Sequence, residues 1–354
     1  MMMRIKKYTK SFVQSAALSL VGCTALPAIS LAGNQSVDVN AISSEAMLPA
    51  RRVFDNRLFP KTYVFNDRLW VAGGVLFDAS SHSSESMLDI WSSADGSRWQ
   101  LGGVFYEFLQ YQPEIAELNG KLFAISGFGP DGCSQDVWSS ENGVDWLLEG
   151  QTNDSQTCSF MKVVEFNDKL WAIGTFGSFD DIWSSDDGLK WVLETDDAAF
   201  PARNMGASVT VSDGKLWVAG GYLEGEYFND VWSSVDGVTW VEEVGNANFP
   251  PSTGLLTNSE GKLYYQVLGK DDAASDVIEI WSSYDGIYWV QEVITPSVSS
   301  RVAHALTDFD GRIWMLGGAD WSDPFEYDLK NDYVWSSPDG SSWTLHHIPK
   351  PSLR

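Results

Sequence analysis

A chain of 354 residues with 48 acidic and 23 basic side chains carries a formal charge of −25, a field that repels nucleic acid and anionic lipid and excludes both as electrostatically steered partners. Length alone suggests two or three domains, but one closed array of repeats escapes that prior. Hydrophobic content of 44% is ordinary, whereas 17 Trp and 31 Gly are many for this length and point to a β-rich repeat protein with frequent tight turns.

The first residues read as an export signal. Arg4, Lys6, Lys7 and Lys10 form a basic start, and Ser11 to Gly22 is small or apolar and uncharged. The stretch is too short and polar for a membrane span. Two processing routes stay open: Leu20-Val21-Gly22-Cys23 resembles a bacterial lipobox and would place a lipid anchor on Cys23, and Ser30-Leu31-Ala32 suits ordinary cleavage. The segments are therefore a signal over 1–32 (or 1–22), a linker or closing segment over 33–56, and the folded unit over 57–354. Cleavage after Ala32 removes four basic residues and no acidic one, moving the charge from −25 to −29. The expected location is the periplasm, the outer membrane as a lipoprotein, or the exterior.

From residue 57 onward the chain repeats itself six times. The segments DIWSSADGSRW (89–99), DVWSSENGVDW (136–146), DIWSSDDGLKW (181–191), DVWSSVDGVTW (230–240), EIWSSYDGIYW (279–289) and YVWSSPDGSSW (333–343) recur every 45 to 54 residues, the period of propeller blades. Upstream of each runs a short apolar segment, RLWVAGG (68–74) in the first unit and KLFAISG, KLWAIGT, KLWVAGG, KLYYQVLG and RIWMLGG in the others, which reads as a buried strand. A further β-like run precedes it, joined by Asn66-Asp67, Asn119-Gly120, Asn167-Asp168, Asp213-Gly214, Glu260-Gly261 or Asp310-Gly311. These dipeptides suit a tight hairpin. In the recurring segment Asp95-Gly96 and its equivalents close a second hairpin, and Trp99 and its equivalents return onto the sheet. Each unit is then a meander of four strands, A to D. The expected fold is all-β: one six-bladed β-propeller of four-stranded antiparallel blades, monomeric, with edges managed by radial repetition.

The Gly-Gly doublet after an apolar strand, the D-[IV]-W strand and the second Trp resemble kelch repeats of the galactose-oxidase central-domain type. The S-x-D-G-x-x-W stretch also resembles the Asp-box of sialidase-like propellers, one residue shorter than usual. The likeness spans about 57–346. The doublet is replaced by Gly174-Thr175 in the third unit and Leu268-Gly269 in the fifth.

In such a meander the B–C and D–A loops share one face and carry the variation, so binding residues are expected there. Repeat positions absorb sixteen of the 17 tryptophans as core; Trp321, in the sixth B–C loop with Tyr327, is left over. Cys133 and Cys158 fall on the same face and, in an oxidising compartment, form a pairable couple. Arg57, Arg203 and Arg301 open strand A in three units, a position that the kelch likeness places toward the central channel. There they would clamp a carboxylate with their bidentate forks, as in acidic-peptide or sialidase sites, or else serve as structural arginines bonding loop carbonyls. His304 fits the repeat and reads as structural.

Copper chemistry of the galactose-oxidase kind lacks a ligand set in the sequence. An acidic-sugar enzyme would use the arginines as its clamp: a sialidase-like one needs a Tyr–Glu pair that nothing in the sequence fixes, and one like the sialic-acid mutarotases would take Glu114 as its acid/base group. The alternative, and the favoured expectation, is a non-catalytic module binding a glycan or a protein segment through Trp321, Tyr327 and the arginine mouth. No cofactor is implied beyond an optional calcium ion.

Overall fold

A computed structural model describes residues 57–347, apart from 79–82, 105, 130–131, 155, 157–159, 176–177, 204–207, 271–275, 299 and 320–332. The export signal, Cys23 and the segment 33–56 lie outside the described residues, as do Cys158, Trp321 and Tyr327. No helix among the described residues is long and apolar enough to cross a membrane.

Six four-stranded antiparallel sheets follow one another along the chain. Blade 1 contains β1 (Lys61–Phe65) and β2 (Arg68–Ala72), a side ribbon of β3 (Val75–Asp78) and β4 (Ser83–Ser86), then β5 (Ile90–Ser93) and β6 (Trp99–Gly103). A 3₁₀ helix (Glu107–Tyr111) leads to blade 2: β7 (Glu114–Leu118), β8 (Lys121–Gly129), β9 (Gly132–Ser140) and β10 (Leu147–Gln151). Blade 3 holds β11 (Phe160–Phe166), β12 (Lys169–Thr175), β13 (Ser178–Ser185) and β14 (Val192–Thr195), and blade 4 holds β15 (Ser208–Ser212), β16 (Lys215–Leu223), β17 (Glu226–Ser234) and β18 (Val241–Val244). Blade 5 comprises β19 (Leu255–Ser259), β20 (Lys262–Lys270), β21 (Asp276–Ser283) and β22 (Val290–Gln291), and blade 6 comprises β23 (Val302–Phe309), β24 (Arg312–Ala319), β25 (Tyr333–Ser337) and β26 (Thr344–His347).

The turn chemistry expected of the sequence is present. Both residues of each A–B dipeptide have positive φ, as at Asn66 and Asp67 (50° and 54°) and Asp213 and Gly214 (48° and 67°). That twist matches the right-handed twist of the flanking strands. In the C–D turns the Asp or Asn folds back on its own backbone: Asp285 Oδ1 accepts the N–H groups of Ile287 and Tyr288, both at 2.9 Å. The strand-D tryptophan donates its indole N–H to the turn glycine, as from Trp289 to Gly286 O at 2.9 Å.

That glycine also joins the blades. A methyl group on Gly286 would lie 2.0 Å from the ring of Trp217 in blade 4, and one on Gly143, Gly188, Gly237 or Gly340 would meet Trp70, Phe123, Trp171 or Tyr264 of the preceding blade. Gly96 of blade 1 meets Trp314 of blade 6 in the same way, at 2.0 Å. The ring is thus closed by the contact that joins every other pair of blades. Two backbone bonds add to the seam, Phe59 N–H to Ala303 O (2.6 Å) and Gly318 N–H to Arg57 O (2.8 Å).

The D–A connections supply a second plug. Phe108 stacks on Trp138 and lies tilted against Trp146, Phe200 meets Trp240 edge-on at 5.1 Å, and Phe249 does the same to Trp289 at 5.3 Å. In these three connections the loop is pinned into the next blade.

Gly286→Ala combines left-handed backbone strain with overpacking against Trp217 and should cost about 3 kcal/mol in urea unfolding. Gly214→Ala, whose new methyl has open space, should cost only about 1 kcal/mol. Equal losses would show that the inter-blade contact contributes nothing.

Candidate functional site

The three arginines lie where the repeat puts them but face the blade interior; each is no more than 2% exposed. Arg57 donates to both Asp89 oxygens (2.7 and 3.2 Å) and to Gly73 O (2.9 Å). Arg203 repeats the pattern with Asp230 (2.7 and 2.8 Å) and Gly220 O (2.7 Å), and its Nε reaches Pro201 O. The same carboxylates accept the indole N–H of Trp91 and Trp232. Arg301 bonds Gly317 O at 3.3 Å. The Arg57 and Arg203 forks, buried and each bound to an acid of the same blade, hold the head of strand A to the head of strand C. This is the structural role weighed against the carboxylate clamp, and in Arg57 and Arg203 the fork is occupied by the blade's own acid.

The glycine doublet belongs to the same device. Gly73-Gly74, Gly220-Gly221 and Gly317-Gly318 occur in the three blades that carry the arginine, and the blades without a doublet have none. The first glycine presents its carbonyl to the guanidinium. The second leaves space, because a methyl on Gly221 would sit 3.2 Å from Arg203 Cβ. This co-occurrence in the sequence was the signal that would have assigned the arginines to the blade walls.

Glu114, at the start of β7, is buried and bridges three blades: Lys61 on β1 pairs with one carboxylate oxygen and Lys162 on β11 approaches the other at 3.5 Å. Burial pushes its pKa up, but the two ammonium groups outweigh it and hold the carboxyl below its ordinary value. An ionised, doubly paired carboxylate is a poor proton donor at neutral pH. His304 is buried against Gln266 (Nε2 to Oε1, 2.6 Å). Desolvation, with the nearby Arg301 charge, lowers its pKa to about 3, so it stays neutral. Among the described residues no cluster of three or more His, Cys, Asp or Glu is placed to hold a metal ion.

The B–C hairpins project from the loop face. β16 and β17 continue their pairing to Tyr222↔Tyr227 and Leu223↔Glu226 before turning at Glu224-Gly225. The two tyrosine rings lie 4.8 Å apart, with Tyr227 exposed. On the equivalent hairpin of blade 2, Phe128 is exposed opposite Cys133. Both hairpins lie in the variable loops expected to carry function, but the same blade-to-blade variability hides which residue of a loop points outward. The bridge expected between Cys133 and Cys158 and the aromatic pair Trp321 and Tyr327 involve positions outside the described residues.

Truncating Arg203 leaves Asp230 charged and buried, so Arg203→Ala should lose about 3–5 kcal/mol of stability. Arg203→Ala/Asp230→Ala should lose markedly less than the two single losses combined, as read by a double-mutant cycle of urea midpoints. A second test concerns pH. Because the folded pKa of Glu114 is depressed, its contribution is present above its ordinary value of 4.5 and is lost as pH falls through the folded pKa. Glu114→Gln should therefore flatten the acid limb of the melting-temperature profile below about pH 4.5. An unchanged limb would mean that the lysine pairing does not bear on folding.

Comparison with known proteins places the chain in a family: it belongs to the DUF6242 beta propeller domain family, whose profile matches residues 54–337. No curated protein matches it. The family match carries the propeller; the kelch and Asp-box likenesses stay likenesses.

Proposed function

We propose that the protein is a non-catalytic interaction module, an exported propeller that binds a glycan or a protein segment on the face formed by its B–C hairpins. The observation that carries this reading is the Tyr222–Tyr227 pair on the projecting β16–β17 hairpin. Paired tyrosines at a hairpin tip offer apolar ring faces and polar hydroxyls with little side-chain entropy to lose, the chemistry favoured at recognition surfaces. The scaffold beneath is rigid, since Arg203 ties strand A to Asp230 within the same blade and its guanidinium also lies 4.7 Å over the ring of Phe228. Trp321 and Tyr327 belong to the sixth B–C loop and extend the same face in this proposal.

The acidic-sugar enzyme is the weaker reading, for a physical reason. Its clamp requires arginine forks available to a ligand, and its acid/base group requires a carboxyl that can exchange a proton near neutral pH. Arg57 and Arg203 are bound to Asp89 and Asp230, and Glu114 is bound to Lys61 and Lys162.

The test is a thermal-shift screen with neutral oligosaccharides, sialic acid and uronic acids, together with pull-down from envelope extracts, using wild type beside Tyr222→Ala/Tyr227→Ala. A ligand stabilising the wild type and weakened about tenfold in the variant, a loss of about 1.4 kcal/mol, supports the hairpin face. A ligand bound equally by both would place recognition elsewhere. Turnover of an acidic sugar that disappears in Glu114→Gln would overturn the non-catalytic reading.

A further inference from the structure

The opposite face of the ring carries a feature that the repeat does not require. The C–D turn is built six times with one hydrogen-bonding scheme, and its third and seventh positions point to solvent. Blade 1 fills them with Ala94 and Arg98, blade 2 with Glu141 and Asp145, blade 3 with Asp186 and Lys190, and blade 6 with Pro338 and Ser342. Blade 5 has Tyr284 and Tyr288, 76% and 77% exposed. The other copies show that the turn forms without aromatic residues there, so turn mechanics do not explain these tyrosines. Ile287, Val290 on strand D and Val293 just past that strand are exposed as well, Val293 at 80%. Blade 4, on which this turn rests through Gly286 and Trp217, adds exposed Val235, Val238 and Val241. Such a run of exposed aromatic and aliphatic groups marks an interaction site.

We infer that the blade 4–5 rim is a docking surface for a basic, apolar-bearing extended segment of a partner protein, separate from the B–C face. Charge selects the partner. The exposed charged groups around the patch are Asp236, Glu242, Glu260, Asp285 and Asp339. Two lysines flank it, each held by an acid: Lys262, 5.3 Å from the Tyr284 ring, by Glu292 at 2.9 Å, and Lys215, 5.1 Å from the Trp217 ring, by Glu243 at 3.0 Å. A second copy of this chain, itself at −25, is repelled, and so is an anionic membrane. A glycan is disfavoured because the polar groups beside the rings are already engaged: Asp285 caps its own turn, and Glu292 accepts from Ser282 (2.5 Å) and Lys262. Sheet geometry selects an extended segment. β22 is the outer strand of its blade and pairs over only Val290 and Gln291, leaving an open edge next to the apolar side chains.

The experiment measures binding of labelled peptides by fluorescence anisotropy: one alternating Lys and Val, one alternating Glu and Val, and one alternating Lys and Ser. The proteins are wild type, Tyr284→Ala/Tyr288→Ser and Tyr227→Ala. The first variant takes residue types that other blades use at these positions, and an unchanged melting curve verifies its fold. The expected result is that the Lys/Val peptide binds wild type and Tyr227→Ala alike, binds the rim variant about tenfold more weakly, and outcompetes both other peptides. Equal Lys/Val binding by the rim variant, no binding to wild type, or equal binding of the Lys/Ser peptide would each overturn the proposal. So would displacement by neutral oligosaccharides, which would make the rim a glycan platform. Self-association of wild type in sedimentation that the rim variant abolishes would make the occupant a second copy and overturn it equally. Tyr227→Ala keeps this outcome separate from that of the B–C face.

Discussion

The ring depends on one contact, a glycine of the C–D turn lying flat against a strand-B aromatic of the preceding blade. Trp314, Trp70, Phe123, Trp171, Trp217 and Tyr264 each receive such a glycine. Two requirements meet at that glycine, a positive φ to close the turn and the absence of a side chain where a ring must fit. Above the turn, the strand-D tryptophan bonds the glycine carbonyl and covers it; below, the strand-B indole donates to the end of strand A, as from Trp217 to Ser212 O at 3.2 Å. One short segment thus builds the hairpin, fills the blade and joins the neighbour.

Polar groups are arranged with comparable economy. A basic residue at the start of strand B, a serine on strand C and an acceptor on strand D form a row across the blade, with Lys215, Ser233 and Glu243 in blade 4 and Lys262, Ser282 and Glu292 in blade 5. Blade 6 substitutes Arg312, Ser336 and His346. These rows, with the arginine forks and the Lys61–Glu114–Lys162 bridge, account for many of the charged groups that might otherwise suggest chemistry. In the proposed readings recognition falls to aromatic and aliphatic groups at the hairpin tips and the rim, set in an acidic surface.

The architecture was legible in the sequence because its determinants are local and repeated. The turn dipeptides fix strand ends, and the Trp spacing fixes the period. The candidate site was legible only in part. Repetition located Arg57, Arg203 and Arg301 at the head of strand A, but side-chain direction depends on the acid two positions before the strand-C tryptophan and on the glycine doublet, a relation across 30 residues or so of chain that no single motif displays. Glu114 stands on strand A of blade 2, while its lysine partners come from two other blades. Phe108, Phe200 and Phe249 each stand nine residues after the strand-D tryptophan, Trp99, Trp191 or Trp240, a spacing visible in the sequence that the six-fold motif alone does not bring out.

The seam between blades 6 and 1 uses the same glycine-on-aromatic contact as the five other boundaries, and every blade takes its four strands from a continuous stretch of sequence. Covalent order therefore matters little to the finished ring. A circular permutant opened at another D–A connection and joined across the present seam would present the same six contacts in the same cyclic order. In chemical terms the propeller has no first blade, and each surface feature is placed by its position around the circle rather than by its position along the chain.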